Sequence, residues 1–242
     1  MERYNDKKII KIGIISFILV LVIAIIGLII LKYEVEGENN MPFNISKMIV
    51  VSSAEGIQVK QTEYKWDFNL VQNNDFYISI EKNAWYGKDE IIKSVMFDNF
   101  NIDKDKTKIY MPTVDDAIAF ENEDKYAVKN KLEYIGDTET DIKNLKIANQ
   151  GSTVLFRYSN INLGKYQSND DIEIEHSGKL LGKSNIKIED INNTISFDLT
   201  IVTNNNTYKA NIIIELDLNN LINDGVITYE KTDFSDIVFK RI

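Results

Sequence analysis

Ile12 to Leu31 reads IGIISFILVLVIAIIGLIIL, a run without a charged side chain that lies between Lys11 and Lys32. An α-helix of about 20 apolar residues rises about 30 Å, which is the thickness of the hydrocarbon core of a bilayer. A helix is also the single-segment structure that satisfies its own backbone hydrogen-bonding groups inside lipid. The run therefore predicts a membrane-spanning helix, with Lys11 and Lys32 as its flanks.

The charges beside this run predict its orientation. Residues 1–11 carry four basic and two acidic side chains, and basic residues on a short flank favour the cytoplasmic side. A cleaved secretory signal is the alternative. The apolar run is longer than the ~7–15 residues of a signal's apolar core, and no small-x-small cleavage site follows it directly. We therefore expect an uncleaved signal anchor, a single-pass protein of the cell membrane and an extracytoplasmic body.

The body is acidic and contains no cysteine. Residues 1–32 carry five basic and two acidic side chains, so the net charge of −9 leaves −12 on residues 33–242. A body with this charge repels nucleic acid, and we expect no nucleic-acid partner. Without cysteine, disulfides and thiol catalysis are excluded.

Alternating apolar residues indicate that the body is mainly β. In the clearest case, Ile195 to Leu216, two period-2 runs flank Asn204-Asn205-Asn206 and predict a β-hairpin. Tyr64 to Ile80 alternates in the same way around Asn73-Asn74-Asp75 and predicts a second hairpin. Strand candidates follow one another about every dozen residues, and one helix is predicted to start at Thr113. This pattern favours antiparallel sheets packed as a sandwich.

The patterns together predict four segments, with a candidate boundary between two sub-sandwiches near residues 113–131. Tyr33 to Met41 is polar and spans about 30 Å at full extension, so the domain is expected to lie close to the membrane. The segments are a cytoplasmic basic tail (residues 1–11), the transmembrane helix (12–31), a short linker (32–41) and an extracytoplasmic β-domain (42–242).

Four stretches of the chain carry motifs that can be compared with other proteins: MPFNISKMIVVSSAEG (Met41 to Gly56), VMFDNFNI with KIYMPT (Val95 to Thr113), TDIKNLKIANQG (Thr140 to Gly151) and TDFSDIVFKR (Thr232 to Arg241). They resemble stretches of a group of uncharacterised single-pass envelope proteins of low-GC Gram-positive bacteria. The resemblance implies the same topology and an all-β domain, and it brings no catalytic residue.

Few side chains are candidates for catalysis. His176 is the single histidine, which argues against a multi-histidine zinc hydrolase. It lies in a polar turn sequence, where a solvated histidine is a simpler interpretation than a catalytic base. An enzyme that uses carboxylates alone would have to draw on Asp115 and Asp116, or on Asp170, Asp171 and Glu173.

Two groups of side chains are candidate binding sites. Trp85 and Tyr86 lie in a glycine-containing turn, where their rings could stack on sugars. Asp171, Glu173 and Glu175 alternate with isoleucines and share one strand face, which could bind a metal cation. The same alternation is typical of an ordinary solvated face. No cofactor is expected.

These observations favour a non-enzymatic binding or structural role in the cell envelope. The expected partners are the bilayer, through residues 12–31, and an envelope protein or wall polymer. A carbohydrate or cell-wall-polymer binding module that uses Trp85 and Tyr86 is one alternative. A carboxylate-only enzyme of the glycosidase type is the other.

Overall fold

The computed structural model describes residues 14–29, 41–62, 65–101, 107–113, 120–140, 145–168, 180–191 and 194–242. Its strands are β1 (Phe43–Thr62), β2 (Lys65–Lys82), β3 (Ile92–Asp98), β4 (Thr107–Tyr110), β5 (Ala127–Val128), β6 (Leu132–Gly136), β7 (Leu145–Ile147), β8 (Thr153–Ser168), β9 (Thr194–Thr203), β10 (Thr207–Glu215), β11 (Val226–Lys231) and β12 (Lys240–Arg241). Its helices are α1 (residues 14–29), α2 (Leu180–Lys183), α3 (Leu221–Asp224) and the 3-10 turns Asp124–Tyr126 and Ile188–Asp190.

The strands form two sheets, which confirms a mainly β fold consistent with a sandwich. Sheet one has the order β11-β1-β2-β8-β4-β5, and sheet two has the order β12-β10-β9-β3-β6-β7. The β6–β7 pair is parallel, whereas the other paired strands are antiparallel. β5 lies inside the candidate boundary at residues 113–131 and pairs with β4 in sheet one. The domain boundaries stay predictions.

The hairpin predicted between Ile195 and Leu216 is confirmed. β9 and β10 pair from Thr194 opposite Glu215 to Val202 opposite Thr207. Thr203 Oγ1 accepts hydrogen bonds from two backbone amides of the connecting asparagines, at 3.1 and 3.2 Å. The alternation and the asparagine turn both agree with the pairing, so local and long-range preferences coincide here.

The second predicted hairpin is wrong, because β2 runs through Asn73-Asn74-Asp75 without a turn. Leu70 and Phe76 are six residues apart, so they face the same side of one continuous strand. Gln72 and Asn74 occupy the core-facing positions between them, and both are fully buried. The actual hairpin joins β1 to β2 where Thr62 pairs with Lys65.

Phenylalanines from both sheets form the centre of the core. The rings of Phe76 and Phe156 stack at 4.6 Å, and Phe197 of sheet two meets Phe156 edge-on at 5.1 Å. Phe97 lies 5.2 Å from Phe156. Stacked and edge-on rings are the preferred geometries of aromatic pairs, so this cluster fixes how the two sheets face each other.

Residues 14–29 are helical, and their apolar side chains are exposed, as with Phe17 at 69%. The span predicted for residues 12–31 starts and ends outside the described residues, as do Lys11 and Lys32. In the part of the chain that the structure describes, no helix combines the length and the apolar character needed to cross a membrane. The membrane span stays a prediction.

Candidate functional site

One face of sheet one packs on sheet two. The opposite face, which we call the outer face, carries a row of polar side chains in mid-sheet. Because side chains alternate along a strand, the odd-numbered residues of β2 and β8 point to the outer face. The β2–β8 pairing places Asp75 directly opposite Arg157 and Asn73 directly opposite Ser159.

Asp75 and Arg157 form a two-pronged ion pair. Arg157 Nε donates to Asp75 Oδ1 at 2.6 Å, and Nη2 donates to Oδ2 at 2.9 Å. Each side chain is only 14% exposed. Nη1 donates to Asn122 Oδ1 at 3.2 Å, and the guanidinium lies 5.0 Å from the centre of the Phe120 ring. The planar fork of arginine matches a carboxylate in this way, and its flat face suits an aromatic ring.

A chain of hydrogen bonds continues from this ion pair across the sheet. Ser159 Oγ donates to Asn73 Oδ1 at 2.7 Å, and Asn122 Nδ2 donates to the same oxygen at 3.1 Å. Asn73 Nδ2 donates to Glu55 Oε1 at 2.8 Å. The bonds therefore join β1, β2, β8 and the segment that starts at Phe120. Buried amides and hydroxyls are tolerated only when they are bonded in this way.

Next to the polar row, the outer face holds a cavity of about 400 Å³. Ile57, Val71 and Ile161 provide its apolar lining, and Asn122 contributes an amide. At the rim, Lys108 Nζ lies 2.8 Å from Asp124 Oδ1. Small-molecule sites commonly have this volume and this mixture of an apolar lining with a few polar groups.

Two ionisable groups of the cavity, Asp124 and Tyr110, have displaced pKa values, and neither displacement suits an acid or base catalyst. The hydrogen bond from Lys108 lowers the pKa of the Asp124 carboxyl, whereas a carboxylic general acid needs a raised pKa. Burial raises the pKa of the Tyr110 hydroxyl above its ordinary value, so it stays neutral at pH 7. Asp75 is not among the lining residues of the cavity, and both of its carboxylate oxygens accept hydrogen bonds from Arg157.

The structure places Trp85 and Tyr86 in the β2–β3 loop (residues 83–91), at the end of the sandwich and away from this cavity. Trp85 is 91% exposed and Tyr86 is 36% exposed. The amide of Trp85 donates to Asn83 Oδ1 at 3.2 Å, and the amide of Tyr86 donates to the Asn83 carbonyl at 3.1 Å. Their role in sugar stacking stays a prediction.

The other predicted site residues lie outside the described residues, and their roles stay predictions. Among the residues that are described, no group of three potential ligands could hold a metal ion. The residues outside are Asp115, Asp116, Asp170, Asp171, Glu173, Glu175 and His176.

Sequence reasoning missed the outer-face row and its cavity. Arg157 is one of three arginines in the chain, and an arginine within a strand-like pattern is a signal that could have been followed. Nothing in the sequence indicates that Arg157 meets Asp75, which is 82 positions away.

Comparison of the chain with protein-family models, with curated proteins and with solved structures gave no match in any of the three. The resemblance to single-pass envelope proteins stays a prediction.

Proposed function

We propose that the chain is a membrane-anchored protein of the cell envelope whose extracytoplasmic β-sandwich binds another envelope component without catalysing a reaction. Residues 12–31 serve as the anchor and residues 1–11 stay in the cytoplasm. The uninterrupted apolar run and the exposed apolar side chains of residues 14–29 support this part. A helix that is apolar on all sides is typical of burial in lipid or in a large protein core.

The cavity on the outer face is the observation that carries the binding role. Beside the cavity, the chain buries an ion pair and several amides. Apolar side chains at the same positions would also fit a strand and would avoid the cost of removing charged and polar groups from water. Departures from local rules of this kind are concentrated at functional sites. The apolar lining made by Ile57, Val71 and Ile161 suits an apolar group of the ligand, and the exposed Lys108–Asp124 ion pair can meet a polar one.

Photo-crosslinking in intact cells tests this role. A benzoylphenylalanine replaces Ile57, which is 45% exposed and lines the cavity. The control carries the same probe in place of Ile213, which is 58% exposed on β10 of sheet two. We expect an adduct from position 57 that is absent from position 213, because only the first probe lies in the cavity.

Filling the cavity sharpens the test. Ile161→Trp places a large ring among the lining residues and should abolish the adduct from position 57 while the protein stays folded. Equal adducts from both probe positions would contradict the site. Hydrolysis of peptidoglycan or another glycan by the purified chain, abolished by one substitution, would contradict the non-enzymatic role.

A further inference from the structure

The chain enters the β-domain at a defined end of the sandwich, which we call the entrance end. Met41 is fully buried, and β1 begins two residues later. The amide of Asn83 donates to the Pro42 carbonyl at 2.9 Å. The first residues of the domain are therefore bonded to the first residue of the β2–β3 loop.

The β2–β3 loop is fixed in place by neighbouring loops of the same end. Asn204 Nδ2 donates to the Asp89 carbonyl at 3.0 Å, and the Asn204 amide donates to the Ile91 carbonyl at 3.2 Å. Gln150 Nε2 donates to the Lys88 carbonyl at 3.3 Å. A loop held at these points can present a side chain in a constant direction.

Trp85 is the side chain that this loop presents. Its ring is 91% exposed, although tryptophan is a large apolar residue that is usually well covered. Tryptophan and tyrosine are enriched where a bilayer meets water, because an apolar ring with a polar edge suits that boundary. Trp85 and Tyr86 form such a pair.

The short connection to the anchor limits what this end can face. Leu31 is the last apolar residue of the predicted span, and Met41 is the first described residue of the domain. The connection between them is about 35 Å long at full extension. Trp66, the other tryptophan, lies near the start of β2, and at ~3.3 Å per strand residue it is about 50 Å from the end of β2. The two tryptophans therefore mark opposite ends of the sandwich.

The entrance end is close to neutral, although the body as a whole is strongly acidic, so it repels an anionic surface less than the rest of the body does. Its described loops and strand ends, residues 41–45, 81–93, 137–140, 145–153, 203–207 and 232–242, carry six basic and seven acidic side chains. Arg241 and the asparagines 204–206 also line a cavity of about 480 Å³ at this end. Guanidinium and amide N–H groups are suitable donors to phosphate oxygens.

From these observations we propose that the entrance end rests on the bilayer that holds the anchor, with Trp85 inserted among the lipid headgroups. The inference depends on the proposed membrane anchor. It assigns the β2–β3 loop to lipid, and it sets the sandwich upright with Trp66 at the far end.

Brominated lipids test the contact, because bromine quenches tryptophan fluorescence at short range. The full-length chain is reconstituted into phosphatidylglycerol–phosphatidylcholine vesicles with or without bromine on the acyl chains near the headgroup. Trp66→Phe leaves Trp85 as the single tryptophan, and Trp85→Phe leaves Trp66. We expect bromine to reduce the emission of Trp85 and to leave that of Trp66 unchanged. We also expect acrylamide in water to quench Trp85 weakly, although the protein itself leaves that ring 91% exposed.

The other outcomes contradict the inference, and they show whether the anchor or only the contact of Trp85 with lipid has failed. If the chain does not float with the vesicles, the anchor fails and the contact fails with it. If the chain floats but Trp85 is quenched by acrylamide and not by bromine, only the contact fails. If Trp85 becomes protected only when isolated cell wall is added, sugar stacking replaces lipid contact. Comparing wild type with Trp85→Phe gives the contribution of Trp85 even if Trp66→Phe disturbs folding.

Discussion

Replacing Asp75 by alanine should destabilise the domain by about 3 kcal/mol. The change removes both oxygens that receive Arg157 and leaves a guanidinium that is only 14% exposed without its counter-ion. Breaking a buried ion pair on one side costs about 3–5 kcal/mol, and the remaining exposure and the bond to Asn122 place this case at the lower end. For a domain of about 200 residues, about 3 kcal/mol lowers Tm by roughly 6–12 °C.

A double-mutant cycle separates the ion pair from the loss of packing. Arg157→Met keeps an unbranched side chain against Phe120 and should cost about 2–3 kcal/mol, because it leaves the Asp75 carboxylate unpaired. The double variant Asp75→Ala/Arg157→Met leaves no unpaired charge. Its cost should fall short of the sum of the single costs by about 2 kcal/mol.

Urea unfolding of the full-length chain in detergent, followed by tryptophan emission, measures these differences. Lys47→Ala is the matched control, because its ion pair with Glu230 is 41% and 50% exposed, and such pairs contribute about 0–1 kcal/mol. A cost below about 1 kcal/mol for Asp75→Ala, or strict additivity in the double variant, would refute a structural role of the ion pair.

Three further predictions concern the backbone, the core and acid stability. Gly151→Ala should lower the free energy of unfolding, measured in urea, by more than about 2 kcal/mol, because φ at Gly151 is 101° and a Cβ there would overlap a carbonyl of β2. Its control is Gly87→Ala, which has open space around it and should change that free energy by no more than about 0.5 kcal/mol. Phe156→Ala removes the ring that contacts aromatic rings of both sheets and should lower the free energy of unfolding by about 4 kcal/mol, as measured by thermal unfolding. The control Ile213→Ala changes an exposed residue and should lower it by about 0.5 kcal/mol or less. Burial opposes the charge of Asp198, but hydrogen bonds from two asparagines and a lysine outweigh it and hold the pKa of this carboxyl below its ordinary value. The contribution of Asp198 to stability should therefore be fully present above about pH 5 and should fall as the pH drops below about 4. A pH series of unfolding curves should show a shallower fall for Asp198→Asn.

The fold class could be predicted because alternation along a strand is a local signal. Between Ile195 and Leu216 the alternation, the asparagine turn and the final pairing agree. In β2 they disagree, because Asn73, Asn74 and Asp75 are turn residues by local preference. Pairing with β1 on one side and β8 on the other overrides that preference. Leu70 and Phe76 are separated by an even number of positions, so both apolar side chains lie on the same face if the strand continues between them. That spacing was the signal for a continuous strand.

Trp85 could be predicted as a candidate site from the sequence, whereas the cavity on the outer face could not. Trp85 was a candidate because a tryptophan next to tyrosine in a turn sequence is conspicuous, and the structure places its ring in solvent. The outer-face cavity depends on the register between β2 and β8 and on the position of Asn122. Register between strands so far apart in the chain is set by the assembled core and leaves no local signature.

The pairing of β1 with β11 has a consequence for synthesis. Met48 to Ser53 pair with Lys231 to Val226, so one edge of β1, the longest of the described strands, stays open until residues 226–231 have been made. At roughly 5–20 residues per second, the intervening ~170 residues take about 10–35 s. During that interval, the apolar segment Met48-Ile49-Val50-Val51 offers unpaired amides and carbonyls to any other extended chain. A nascent chain of this protein is therefore exposed to edge-to-edge association until β11 has been made and has paired with β1.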